Sequence, residues 1–199
     1  MYSDFLGNVL VIILVFIVFY FYYYKNSDIQ LTCIISKVDG NEYCVRRRED
    51  LESAADLLAS TINKCKKLVK HLNEKYSEQE KVKRLVKGFD DTKIKETLPT
   101  SKFKAYSENK GQSLAFCLNV DGENDDNLID ENTLLFVALH EVAHIMTKSI
   151  GHKPEFWDNF KFLLKEAKDI GIHNPQDYKK SPEEYCGMKI TDNPYYDRY

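Results

Sequence analysis

Three side chains within one pentapeptide have the types and spacing for metal chemistry: His140, Glu141 and His144, in Leu139-His140-Glu141-Val142-Ala143-His144. Two histidines at i and i+4 lie one turn apart on the same face of a helix, so both imidazoles can reach one ion. Zinc accepts neutral imidazole nitrogen. A glutamate beside the first ligand is placed to take a proton from water activated by that ion. Short patterns of this kind also arise by accident on ordinary helices, where the histidines are core or surface groups. The distribution argues against accident: the chain has five histidines (His71, His140, His144, His152, His173), and three fall within residues 140–152.

A catalytic zinc takes three protein ligands and keeps one position for water. His152 is the candidate third ligand. It follows a break at Gly151 and precedes Pro154, a residue suited to a first helical turn, so a turn would fold it back toward the metal. Glu155 and Glu166 on the next helix are the runners-up. Cys186 would instead complete a closed site of three histidines and one cysteine, structural because no position is left for water. Tyr185 is a candidate donor to a developing oxyanion. Tyr178 is the other conspicuous phenol nearby, and core packing is the default use of both.

His140-Glu-Val-Ala-His144 followed by Gly151-His152-Lys-Pro-Glu-Phe156-Trp157 resembles the minimal zinc metallopeptidases of the SprT-like, WLM and YgjP type, which pair HExxH with a later His-x-x-x-Phe-Trp/Tyr. The resemblance covers roughly residues 113–171. Residues 145–151 make a longer gap before the third histidine than WLM and YgjP patterns usually have, which leaves the subfamily open. It implies a zincin-like metallopeptidase domain, with Ser113 to Val120 as the edge strand along which an extended peptide pairs. Repair of DNA–protein crosslinks, which it also suggests, finds no basic patch here.

Other elements must position these residues. Asp130 is an N-cap for a helix that begins Glu131-Asn132-Thr133 and stops by Gly151. A second helix, Pro154 to Ile170, carries Phe156, Trp157, Phe160, Leu163, Leu164 and Ala167 on a face that packs against the first, with no substrate role assigned. Ser113 to Val120 reads as a strand, followed by an acidic loop (Asp121 to Asn127). That loop does not match the EF-hand pattern, and a solvated turn explains it better than calcium. Upstream, two β-rich runs between Gln30 and Arg48 flank Asp39-Gly40, a hairpin signal. Helical spacing then runs from Glu49 to about Tyr76, and a shorter helix is predicted over Glu78 to Phe89.

From Phe5 to Tyr24 the chain carries no charge, and about 20 residues at 1.5 Å rise match the roughly 30 Å hydrocarbon layer. No basic start or small-x-small site marks a signal peptide, and tyrosines gather at the far end of the run. The expected fold class is therefore α+β: a single-pass N-terminal transmembrane helix (residues 1–25), followed by a compact domain (26–199) with a small mixed sheet packed on the zinc helix. Flanking charges weakly favour that domain on the cytoplasmic side. Five widely spaced cysteines without a CxxC pair suggest reduced thiols.

With 199 residues, a net charge of −3 and acidic and basic residues intermixed, nucleic acid is not an expected partner. The expected function is a membrane-anchored zinc-dependent metallopeptidase, with Glu141 as general base and a protein or peptide as substrate. The alternative is a membrane-tethered interaction module with a structural zinc site.

Overall fold

In the computed structural model, which describes residues 2–25, 31–99, 101–121 and 127–197, a hairpin follows the N-terminal helix. Strands β1 (Leu31–Ile35) and β2 (Glu42–Arg46) pair antiparallel. Between them Gly40 takes φ +73°, a conformation open to glycine, and the Ser36 amide donates to the Asn41 carbonyl at 2.9 Å. The register sets Cys33 opposite Cys44, and the two form a disulfide.

Helix α2 (Leu51–Tyr76) starts at Asp50, whose carboxylate accepts from the Ser53 amide at 2.9 Å. Its apolar residues recur at helical spacing, so Leu58, Ile62, Cys65, Leu68 and Leu72 are buried while the lysines between them face outward. Each such aliphatic side chain contributes about 1.5–3 kcal/mol of apolar burial. Helix α3 (Glu80–Gly88) buries Val82 and Leu85.

Three further short strands, β3 (Ile94–Glu96), β4 (Ala105–Glu108) and β5 (Ser113–Phe116), complete a mixed sheet of order β1-β2-β3-β5-β4. β5 therefore lies inside the sheet, between β3 and β4. The expectation that the Ser113 strand forms the edge is corrected: β4 takes that place. The hairpin joining β4 to β5 folds back on itself, and its antiparallel return stroke covers the side of β5 that would otherwise be open.

Helix α4 (Glu131–Met146) packs against α2, α3, the following helix α5 (Pro154–Asp169) and strands β4 and β5, and it is buried on nearly every side. Asp130 caps it as expected, accepting from the Thr133 amide at 3.0 Å. A last hairpin, β6 (Glu183–Tyr185) and β7 (Met188–Ile190), turns through Cys186 (φ +50°) and Gly187 (φ +73°), the two positive φ angles of a tight hairpin turn. The chain beyond β5 holds this turn, because the amides of Cys186 and Gly187 donate to the carbonyls of Asn119 and Val120, both at 3.0 Å. A Cys117–Cys186 disulfide locks it.

The fold is α+β, as expected, but several other expectations are corrected. Four of the five cysteines are paired and only Cys65 is free, so the reading of reduced thiols fails. Spacing along the chain gave no hint of partners that strand register and the final hairpin bring together.

The N-terminal run lies in helix α1 (Tyr2–Lys25), yet among the described residues no helix is long and apolar enough to cross a membrane. This overturns the reading of residues 1–25 as a transmembrane anchor, and with it the membrane as a partner and the single-pass localisation with a cytoplasmic domain. The membrane-anchored form of the expected function falls on the same finding. The acidic loop considered for calcium lies largely outside the described residues.

Candidate metal centre

His140 and His144 project from the same face of α4, and His152 comes from the loop between α4 and α5. Nε2 of His140 and Nε2 of His152 are 2.9 Å apart, and one ligating nitrogen from each of the three imidazoles lies within 4.8 Å of the others. Nitrogens around a tetrahedral ion with bonds of about 2.0–2.1 Å stand about 3.3 Å apart, a spacing that small rotations of these rings would reach. The group could hold one metal ion.

Fully buried Phe156 forms the floor: its ring centroid lies 4.8 Å from that of His140, 4.4 Å from His144 and 4.6 Å from His152. Burial, with the neighbouring imidazoles, pushes the His140 pKa down to about 3. Burial, with His152 and Lys110, pushes that of His144 down to about 4. Both rings are thus neutral near pH 7, the form that ligates. Glu141 is 6% exposed, and burial pushes its carboxyl up to about 7, against a backbone hydrogen bond from Ser107 that works the other way.

The loop that delivers His152 is held from both sides. Glu155 accepts the amides of Lys148 and Ser149, each at 3.0 Å, and these bonds hold its carboxyl down at about 2. Lys110 donates from the turn between β4 and β5 to the carbonyls of Thr147 and Ser149, and Arg84 on α3 donates to the Met146 carbonyl at 3.0 Å. These cations satisfy carbonyls that the end of α4 leaves without intrahelical partners. Gly111 makes the close approach possible. At φ +103° it comes so near α3 that a Cβ there would lie 2.1 Å from the Gly88 carbonyl oxygen.

The other candidates are placed elsewhere. Glu155 is occupied by the loop amides just described. Glu166 faces α2, where it accepts from Tyr76 at 2.7 Å and Lys75 at 3.0 Å and meets His71 at 2.9 Å. Cys186 is in a disulfide, so the closed site of three histidines and one cysteine is corrected. Tyr185 reaches the cleft beside Glu141, but its hydroxyl donates to the Lys104 carbonyl at 3.2 Å. Tyr178 is fully buried against Phe136.

Two cavities, of about 450 and 580 Å³, meet at His140 and Glu141 and share Phe103 and Ala105 on their opposite wall. Phe103, Ser107, Lys110 and Trp157 are site residues that the sequence reading missed. Only Trp157 carried a signal, next to Phe156 in the His152 motif, and its indole donates to the His152 carbonyl at 3.1 Å.

No family model matches the chain. Uncharacterized protein R325 of Acanthamoeba polyphaga mimivirus is 27% identical over 173 residues, which cover 85% of this chain and 87% of that protein. Uncharacterized protein 136R of Invertebrate iridescent virus 6 is 35% identical over 83 residues, 42% of this chain and 45% of its own length. Uncharacterized protein 042R of Invertebrate iridescent virus 3 is 39% identical over 59 residues, 30% and 36% respectively. Among solved structures, Wss1 from Saccharomyces cerevisiae bears a weak likeness, with a TM-score of 0.47 and 17% identity over 63% of this chain and 86% of that one.

Proposed function

We propose that the chain binds one zinc ion through His140, His144 and His152, and that it is a hydrolase whose target is the peptide bond. The observation that carries this reading is the convergence of three imidazole nitrogens within 4.8 Å, with the buried Glu141 carboxyl on the same helix. Three histidines without a fourth protein ligand among the described residues leave room for a water, the arrangement of a catalytic rather than a structural zinc.

Bound there, zinc would act as a Lewis acid toward a carbonyl and lower the pKa of water. The chain's own groups do the rest. Glu141 takes a proton from the attacking water and returns it to the leaving amine. The edge strand β4 borders both cavities through Ala105, so backbone groups on its open side can align an extended peptide across the site. Phe156 and the clamped loop hold the imidazoles in register.

A second reading, a metal-stabilised interaction module, is supported by the exposed apolar side chains Phe103, Ile150 and Met188 around the cleft, which would hold a partner segment whether or not it is cut. One experiment separates the two. Metal content and hydrolysis of an unstructured protein are measured for the wild type, Glu141→Gln and His152→Ala. The hydrolase reading expects one zinc per chain, a rate loss of about 10²–10⁴-fold in Glu141→Gln with metal retained, and metal loss in His152→Ala. Zinc bound by a wild type that cleaves nothing would leave the module.

A further inference from the structure

The two halves of the cleft differ in chemistry. On the Tyr185 side of Glu141, the cavity of about 450 Å³ is walled by Phe136, Val137 and Phe160 from the helices and by Ile190 and Pro194 from the C-terminal segment. At its mouth Phe103, Met188 and Trp157 are 66%, 50% and 39% exposed, joined there by the exposed charges of Lys102 and Asp192. On the His144 and His152 side, the cavity of about 580 Å³ is lined by Ser107, Asn109, Lys110 and Ser149, with Tyr106 and Ile150 as its apolar members beside the shared Phe103 and Ala105. Apolar surface left open to water beside reactive groups marks a binding surface.

We infer that the cavity beside Tyr185 seats one large apolar side chain of the substrate, next to the bond that is cut, while the cavity beside His152 takes a polar residue on the other side of that bond. This rests on the hydrolase reading and names its substrate class: extended peptide segments with a bulky apolar residue on one side only of the scissile bond. The occupant is fixed by continuity with the site. Both cavities open on His140 and Glu141, and both are bordered by edge strand β4, so a peptide lying along β4 sends its flanking side chains one into each. A polar side chain seated among the aromatic and aliphatic walls of the first cavity would lose hydration, whereas the charges of Lys102 and Asp192 lie out at the mouth.

The test uses the zinc-loaded full chain and peptides that are identical except for Ala, Asp, Leu or Phe at each residue flanking one scissile bond. Leu and Phe are expected to be cleaved about 10- to 100-fold faster than Ala at one flanking position, with no such gain at the other. Val137→Phe, which fills the cavity, is expected to shift the preference toward Ala. Met188→Ala, at the exposed mouth, should weaken the preference a few-fold, and circular dichroism checks that both variants are folded.

Trp157, the only tryptophan in the chain, lines this cavity, so its fluorescence reports binding of the same peptides to Glu141→Gln without turnover. Cleavage with no apolar preference, or an equal preference on both sides, overturns the inference and leaves the hydrolase reading standing. Fluorescence changes that favour Leu and Phe peptides, with no cleavage by the wild type, sink the hydrolase reading and retain the apolar seat.

Discussion

Lys110 Nζ donates to the carbonyl oxygen of Ser149 at 2.9 Å, tying the turn after the edge strand to the loop that carries His152. From the opposite side Glu155 accepts the Ser149 amide at 3.0 Å. His152 is therefore positioned by two side chains outside the histidine cluster.

Lys110→Met and Glu155→Ala should each weaken zinc binding by about 10- to 100-fold while all three histidines remain. Competition titration against a chromophoric chelator measures this. Unchanged affinity in both variants would show that the loop holds His152 without them.

His173 is 5% exposed, and neither ring nitrogen makes a hydrogen bond among the described residues. Burial, with Lys64 nearby, pushes its pKa from an ordinary 6.5 down to about 4, opposed by Asp130. The folded state thus binds this proton less readily than the unfolded chain. Stability is fully present above pH 6.5 and is lost as pH falls from there through about 4, on the order of 3 kcal/mol for this group. Urea denaturation of wild type and His173→Phe at pH 7.5, 5.5 and 4 should show the variant losing less on acidification. Parallel losses would contradict the assignment.

Cys117 and Cys186 are 69 residues apart in sequence, and their bond closes the loop that carries α4 and α5. Loop closure of that length restricts the unfolded chain by about 4 kcal/mol. The double variant Cys117→Ala/Cys186→Ala should unfold at lower denaturant by a comparable amount. Mass spectrometry under non-reducing conditions checks the pairing first.

Tyr185 sits in the cleft wall with its hydroxyl already given to the Lys104 carbonyl. Tyr185→Phe should then slow cleavage less than about tenfold, whereas removing an oxyanion donor costs about 10²–10³ in kcat. A loss in that larger range would return Tyr185 to the reacting groups.

The sequence by itself determined what depends on local order along one helix. The i, i+4 spacing of His140 and His144 and the Asp130 cap set the start of α4 and its histidine face, because helix geometry repeats within a few residues, whereas the helix ends at Met146, ahead of Gly151. The Gly-His-Lys-Pro step pointed to His152 for the same reason. It also gave the β1–β2 hairpin, the amphipathic α2 and the α+β class.

Tertiary structure alone decided which residues meet across distant segments. It made β4 rather than β5 the edge, paired Cys117 with Cys186, turned Glu166 toward α2 and brought Lys110 to the end of α4. Such outcomes come from packing complementarity among faces far apart in the chain, and periodicity within any one segment carries no record of its partner.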